Sequence, residues 1–250
     1  MNSRLTQIGF SQRVRLEWLE RTANLVLAGN DEASIEGALE DLLEDKLSVG
    51  GNAKRGNREK VITILMKIWV RPPRDLHPLQ REGLKLLSHL PREDHIAVHW
   101  GMAMAVYPFW GAVAAHVGRL LRLQGTAAAS QVQRRVREQY GERETVSRAA
   151  RRVLRSFVDW EVLKETSAKG IYTSGLSLAI AQVEVSAWLA EALLHAHPNG
   201  SVPLRTVFDS TSLFPFRVRP MSANHLVAVS ERLEALRHGL DQDLVMLKKH

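Results

Sequence analysis

"TVSRAARRVLRSFVDW", residues 145–160, threads four arginines (Arg148, Arg151, Arg152 and Arg155) between Val146, Ala150, Val153 and Phe157. On a helix turning about 100° per residue, Ala150, Val153 and Phe157 fall within about 40° of Val146. The four arginines fall within about 100° of one another on the opposite side. The spacing therefore predicts an α-helix over 145–158, with Thr145 near its N-cap, an apolar face and a guanidinium face. Guanidinium is permanently charged and carries its donors in a planar fork suited to phosphate and to guanine.

The flanks give this helix a context. Upstream, "SQVQRRVREQYG" (residues 130–141) reads as a helix over 128–140 with Val132, Val136 and Tyr140 inward. Gly141 opens a short turn, "GERE", before the arginine helix. Helix, short glycine turn, helix is the helix-turn-helix pattern. Downstream, "EVLKET" (161–166) and "IYTS" (171–174) read as short strands around the polar turn "SAKG". Residues 124–175 therefore read as a winged helix-turn-helix-like module, with Lys164 and Lys169 on the wing. The chemistry suits duplex DNA. Arg148, Arg151, Arg152 and Arg155 would face the major groove, where arginine can donate two bonds to guanine O6 and N7 or reach phosphate. Thr145 and Ser147 would reach phosphate or base edges from the helix start. Arg134, Arg135 and Arg137 on the preceding helix would meet the backbone, and the wing lysines would meet the backbone or the minor groove. The competing reading is an arginine face paired with acidic helices, within the chain or across a protein complex.

Charge and composition bound the alternatives. The chain has 250 residues and a net charge of +7. Residues 16–48 hold nine acids and two bases, net −7, whereas residues 119–155 hold ten arginines and three glutamates, net +7. A localised positive block points to an anionic partner. There is no cysteine, which excludes disulfides, thiolate catalysis and cysteine-ligated metals and fits a reducing compartment. The N-terminal stretch "MNSRLTQIGFSQRVRLEW" lacks the apolar core of a signal peptide, so a cytoplasmic location is expected. "IAVHWGMAMAVYPFWGAVAAHVGRLL" (96–121) is long enough to span a bilayer, but His99, His116 and Pro108 interrupt it. Two buried helices meeting at Tyr107–Pro108 are expected instead, and no membrane association.

The rest reads as helix after helix. Residues 16–28 end at Gly29, and Asp31 caps a second helix over 32–47. "REKVITILMKIWV" is stopped by Pro72–Pro73. Further helices are expected from His77 to about Pro91, and over about 93–106 and 108–123, with "GTAAAS" a break. A long apolar helix is expected over about 176–196, a proline-interrupted irregular segment after it, a last helix over about 222–238 and a short strand at "DLVML". The chain divides into an N-terminal helical region (1–123), the module at 124–175 and a C-terminal helical region (176–250).

Weaker signals concern other chemistries. Lys54, Arg55, Arg58 and Lys60 flank the glycine-containing loop "SVGGNAKRGN" and a helix start. They can supply a second phosphate contact, the competing and preferred reading being a solvated loop. That loop lacks P-loop spacing, and no GxGxxG is present, so no nucleotide cofactor is expected. His95 and His99 lie four apart on one helix face beside Glu93 and Asp94, a spacing that can hold a metal. No second ligand cluster pairs with them and HExxH is absent, so no metal is expected. No GxSxG elbow is present, and no catalytic residues are assigned.

The order of parts, with N-terminal helices ending in "EDKLSVGGNAKRGNREKVITILMKIW" (44–69), a helical middle and the arginine module, resembles the BrxA family of BREX anti-phage systems. That resemblance implies DNA binding without enzymatic activity. This chain is longer, and its C-terminal 75 or so residues have no counterpart in the resemblance. The fold expected is mainly α, helical bundle segments with an embedded winged helix-turn-helix module. The function expected is non-enzymatic binding of double-stranded DNA within a phage-defence or other DNA-acting assembly. A transcriptional regulator, or a protein-binding scaffold using the same arginine face, is the alternative.

Overall fold

The structure, a computed structural model, describes residues 3–47, 56–238 and 242–248. Three helices come first: α1 (Leu16–Leu27), α2 (Glu32–Leu43) and α3 (Asn57–Trp69). Asp31 caps α2 by accepting from the Ser34 backbone N–H at 2.8 Å, so a first-turn donor that has no partner within the helix is satisfied. Helices α4 (His77–His89), α5 (His95–Val106) and α6 (Pro108–Gln124) follow. All twelve residues of α5 are buried, which explains a sequence apolar on every side. The segment Arg92–Val106 and α6 meet at 117° across Tyr107–Pro108. Among the described residues no single helix is long and apolar enough to cross a membrane.

Beyond Gly125 the chain forms β1 (Thr126–Ala128), α7 (Ala129–Tyr140), α8 (Glu144–Asp159), β2 (Leu163–Glu165) and β3 (Ile171–Ser174). Gly141, at φ 100°, turns the chain between α7 and α8 in a conformation that side chains resist. The three strands make one antiparallel sheet in the order β1-β3-β2, with Ala127 opposite Tyr172 and Lys164 opposite Thr173. The hairpin expected at 161–174 is therefore present. "GTAAAS", expected as a break, contains β1. Its alanines carry no strand preference of their own, and pairing with a strand more than 40 positions later creates it.

The C-terminal region departs most from expectation. β4 (Leu178–Ile180) precedes α9 (Val183–Ala196), so the long helix begins seven residues later than its apolar run suggests. Then come β5 (Ser201–Pro203), α10 (Leu204–Phe208), β6 (Phe216–Val218), α11 (Ala223–Val229), β7 (Leu233–His238) and β8 (Gln242–Leu247). β4 and β6 pair in parallel, and β5-β8-β7 form an antiparallel sheet. The helix expected over 222–238 stops at Val229. "LEALRH" has good helical propensity, but pairing with β8, Ala235 opposite Val245, overrides it.

Buried apolar residues from Phe10 to Val245 form one core, and its densest part is aromatic. Phe157 of α8 stacks on Trp100 of α5 at 4.8 Å between ring centroids and meets Trp110 of α6 edge-on at 4.7 Å. Trp110 lies 4.9 Å from Trp160, and Phe214 closes the group at 5.7 Å from Phe157. Gly118 of α6 lets the helix pass against the turn at Thr211, where a Cβ would meet the Thr211 carbonyl oxygen at 2.1 Å. Phe157 is fully buried. Its replacement by alanine, Phe157→Ala, is expected to cost about 3–5 kcal/mol of stability, since transfer and cavity costs add. Urea unfolding of the two proteins measures this.

Candidate nucleic-acid interface

Helix α8 has the two faces its sequence implies. Val146, Ala150, Val153, Leu154 and Phe157 are buried, and Arg148, Arg151, Arg152 and Arg155 are exposed. The C-terminal half of the helix is also pinned from outside. The Val14 backbone N–H donates to Ser156 Oγ at 2.9 Å, and Trp160 Nε1 donates to the Val14 carbonyl at 3.0 Å. This lays the N-terminal segment along α8 and brings Arg13 to Asp159, whose carboxylate accepts from both Nε and Nη2 of Arg13.

The result is an open recess of about 360 Å³ lined by Arg13, Arg148, Arg151, Arg152 and Arg155. Two of the α8 arginines have carboxylate partners. Arg151 Nη2 donates to Glu144 Oε1 at 2.9 Å, and Arg155 Nη1 to Glu165 Oε1 at 2.6 Å. All four side chains are about half exposed, and such pairs contribute at most about 1 kcal/mol. Among the described residues Arg148 and Arg152 have no carboxylate within ion-pair distance. Five guanidinium groups against three carboxylates leave a local excess of positive charge.

The remaining expected contacts divide. Thr145 is exposed, but the helix begins one residue earlier than expected and Arg143 occupies the N-cap. Ser147 is only 5 % exposed. Its position lies about 20° from that of the fully buried Leu154, so it packs inward on that side, and it does not line the arginine recess. Lys164 on β2 and Lys169 in the turn between β2 and β3 are exposed. Arg134 and Arg135 are exposed on α7, Arg135 paired with Glu138 at 3.0 Å; Arg137 is half-buried, 3.4 Å from Glu142. None of these three lines the recess. Lys54 and Arg55 lie outside the described residues. Arg58 donates Nη2 to the Glu44 carbonyl at 3.2 Å, which satisfies the end of α2.

Arg13 was not among the expected contacts. It is one of two arginines in "SQRVRLEW", and only the distant Asp159 and Ser156 give it a place. Glu144 and Glu165, the partners of Arg151 and Arg155, were likewise unassigned.

His95 and His99 have a different role from metal ligation. Both turn to Glu20 of α1. His99 Nε2 lies 2.7 Å from Glu20 Oε2, and His95 Nδ1 lies 2.9 Å from Oε1. Trp69 Nε1 donates to His99 Nδ1 at 3.0 Å, so His99 carries its proton on Nε2 and donates it to the carboxylate. His95 Nε2 meets the Leu90 carbonyl at 3.0 Å. Among the described residues no group of three or more histidine, aspartate or glutamate side chains could hold a metal ion. The cluster ties α1 to α5. Burial pushes the His99 pKa down. Burial alone would raise that of Glu20, but the hydrogen bonds from His99 and His95 outweigh it and hold the carboxyl well below its ordinary range.

Comparisons with family models, curated proteins and solved structures find no match to the chain.

The cluster makes stability depend on pH. His99 stays neutral in the fold but takes a proton in the unfolded chain below its ordinary value of 6.5. Glu20 is charged in the fold, and its contribution is lost as pH falls below its ordinary value of 4.5. Both terms therefore favour unfolding as the solution becomes more acidic. Glu20→Gln is expected to cost about 1.5–3 kcal/mol at neutral pH, the range for hydrogen bonds to a charged group. It should also flatten the dependence below about pH 4.5, where the wild type loses stability fastest. Thermal melts between about pH 3 and pH 8 read both effects.

Proposed function

We propose that the chain is a non-enzymatic double-stranded DNA-binding protein that reads or grips the duplex with the arginine face of α8. The observation that carries this reading is the recess lined only by arginine, on a helix whose opposite face is locked into an aromatic core. Rigid placement lowers the conformational cost of binding. Fixed guanidinium groups offer forked donors to phosphate and to guanine edges. The order of elements adds support. α6, β1, α7, α8, β2 and β3, with β1 added to the hairpin, follow one another as in a winged helix-turn-helix, with Lys164 and Lys169 where a wing would touch DNA. A groove-entering helix favours B-form DNA over duplex RNA, whose major groove is deep and narrow.

Glu144 and Glu165 fit this role. They hold Arg151 and Arg155 in place without DNA and are weak enough, as exposed partners, to yield them to phosphate. A subunit of a DNA-acting assembly, the role the BrxA-like resemblance favours, would bind with little sequence preference. A transcriptional regulator would favour one site by about a thousandfold or more.

Fluorescence-anisotropy titrations of duplex DNA at several salt concentrations test the proposal. The wild type should bind with log K falling against log salt at a slope equivalent to about four or more released counterions. The fourfold variant Arg148→Ala/Arg151→Ala/Arg152→Ala/Arg155→Ala, folded by circular dichroism, should lose most of both affinity and slope. Glu144→Gln/Glu165→Gln should bind about three- to tenfold more tightly at about 50 mM salt, because two opposing charges leave the surface. Equal behaviour of the wild type and the fourfold variant would assign the arginine face to a protein partner instead.

A further inference from the structure

The recess beside α8 is completed by a residue from the far end of the sequence. Arg13 reaches it because Val14 is fully buried and held by Ser156 and Trp160. Asp159 grips the Nε and Nη2 atoms of Arg13 and leaves Nη1 outside that pairing. The Asp159 side chain is 15 % exposed and that of Arg13 is 38 % exposed, so the carboxylate is withdrawn while the guanidinium remains open. Asp159, Glu144 and Glu165 each pair with a recess arginine, yet none of the three lines the recess. An anion entering it meets donors from five guanidinium groups and no acidic wall.

We propose that Arg13 is a phosphate-binding residue, carried by the N-terminal segment to the arginines of α8, and that the recess seats a backbone phosphodiester of the bound duplex. This rests on the nucleic-acid reading of α8 and adds a second chain segment to it. A purely structural Arg13, there only to clamp Asp159, would affect stability but would leave the salt dependence of binding unchanged. Arg15 makes a useful contrast. It is 47 % exposed, lies 3.5 Å from Glu17 and does not line the recess.

The test uses the full-length chain and the same duplex titrations. Arg13→Ala is expected to weaken binding about five- to tenfold at about 100 mM salt and to lower the salt slope by about one, the signature of one lost phosphate contact. Arg13→Lys should keep the slope, because the charge remains, while recovering only part of the affinity, because the fork is lost. Arg15→Ala should match the wild type. A measurement on the wild type alone removes dependence on how the variants fold. Phenylglyoxal modification followed by peptide mass mapping should be slowed by duplex at Arg13 and not at Arg15. Suppose the wild type binds and the fourfold α8 variant does not. If Arg13→Ala then keeps the wild-type slope, or Arg13 is modified equally fast with duplex present, this inference is overturned and the α8 reading stands. A wild type that binds no duplex overturns both.

Discussion

The arginine surface depends on the ring of Phe157. It sits among Trp100, Trp110 and Phe214 and fixes the rotation of α8 about its own axis. A helix with permanent charge along one side has many acceptable positions at a protein surface, because charge is well solvated almost anywhere. It has few positions in which a phenyl group meets three aromatic neighbours at van der Waals contact. The packing constraint therefore chooses the rotation, and the charge follows it outward. Offset and edge-on aromatic contacts add about 0.5–1.5 kcal/mol per pair beyond the area they bury, so the choice is strongly enforced.

Electrostatics is divided across the molecule. The acidic N-terminal helices are not the partners of the arginine face. Among the described residues Glu17 pairs with Arg15, Glu20 with the two histidines and Glu32 with Arg71. The arginines of α8 take their carboxylates from the helix start, Glu144, and from the adjacent hairpin, Glu165. Among the described residues, none of the carboxylates of α1 and α2 forms an ion pair with an α8 arginine. Among the described residues, therefore, the arginine face is not paired with the acidic first helices, and Arg148 and Arg152 are exposed.

Local pattern carried much of the fold. Apart from α5, which is apolar on every side, the helices from α1 to α8 have a periodic apolar face, and many of their ends carry glycine, proline or aspartate signals that act within a turn of where they stand. The hairpin at 163–174 is legible because its turn residues and its strands are adjacent. What could not be read is non-local. β1 is three residues of threonine and alanine that become a strand only on meeting Ile171–Thr173. β7 looks helical until Gln242–Leu247 pairs with it. The same limit applies to the candidate site. The arginines of α8 were visible because they repeat on one helix face. Arg13 was not, since its meaning comes from a carboxylate 146 residues away. Ser147 was read as facing outward, but it lies on the same side of the helix as the buried Leu154, at the border between the core and the arginine face.

The two hydrogen bonds that hold Val14 span 142 and 146 residues. Contacts of such sequence separation close a long loop and form late, after local helices are in place. During synthesis the N-terminal segment emerges early and has nothing to dock on until α8 and Trp160 have left the ribosome. The helix can carry its own four arginines as soon as it folds, but the complete recess cannot exist in a shorter nascent chain. Assembly of the five-arginine recess is in this way tied to the synthesis and folding of α8 and Trp160, long after Arg13 itself has been made.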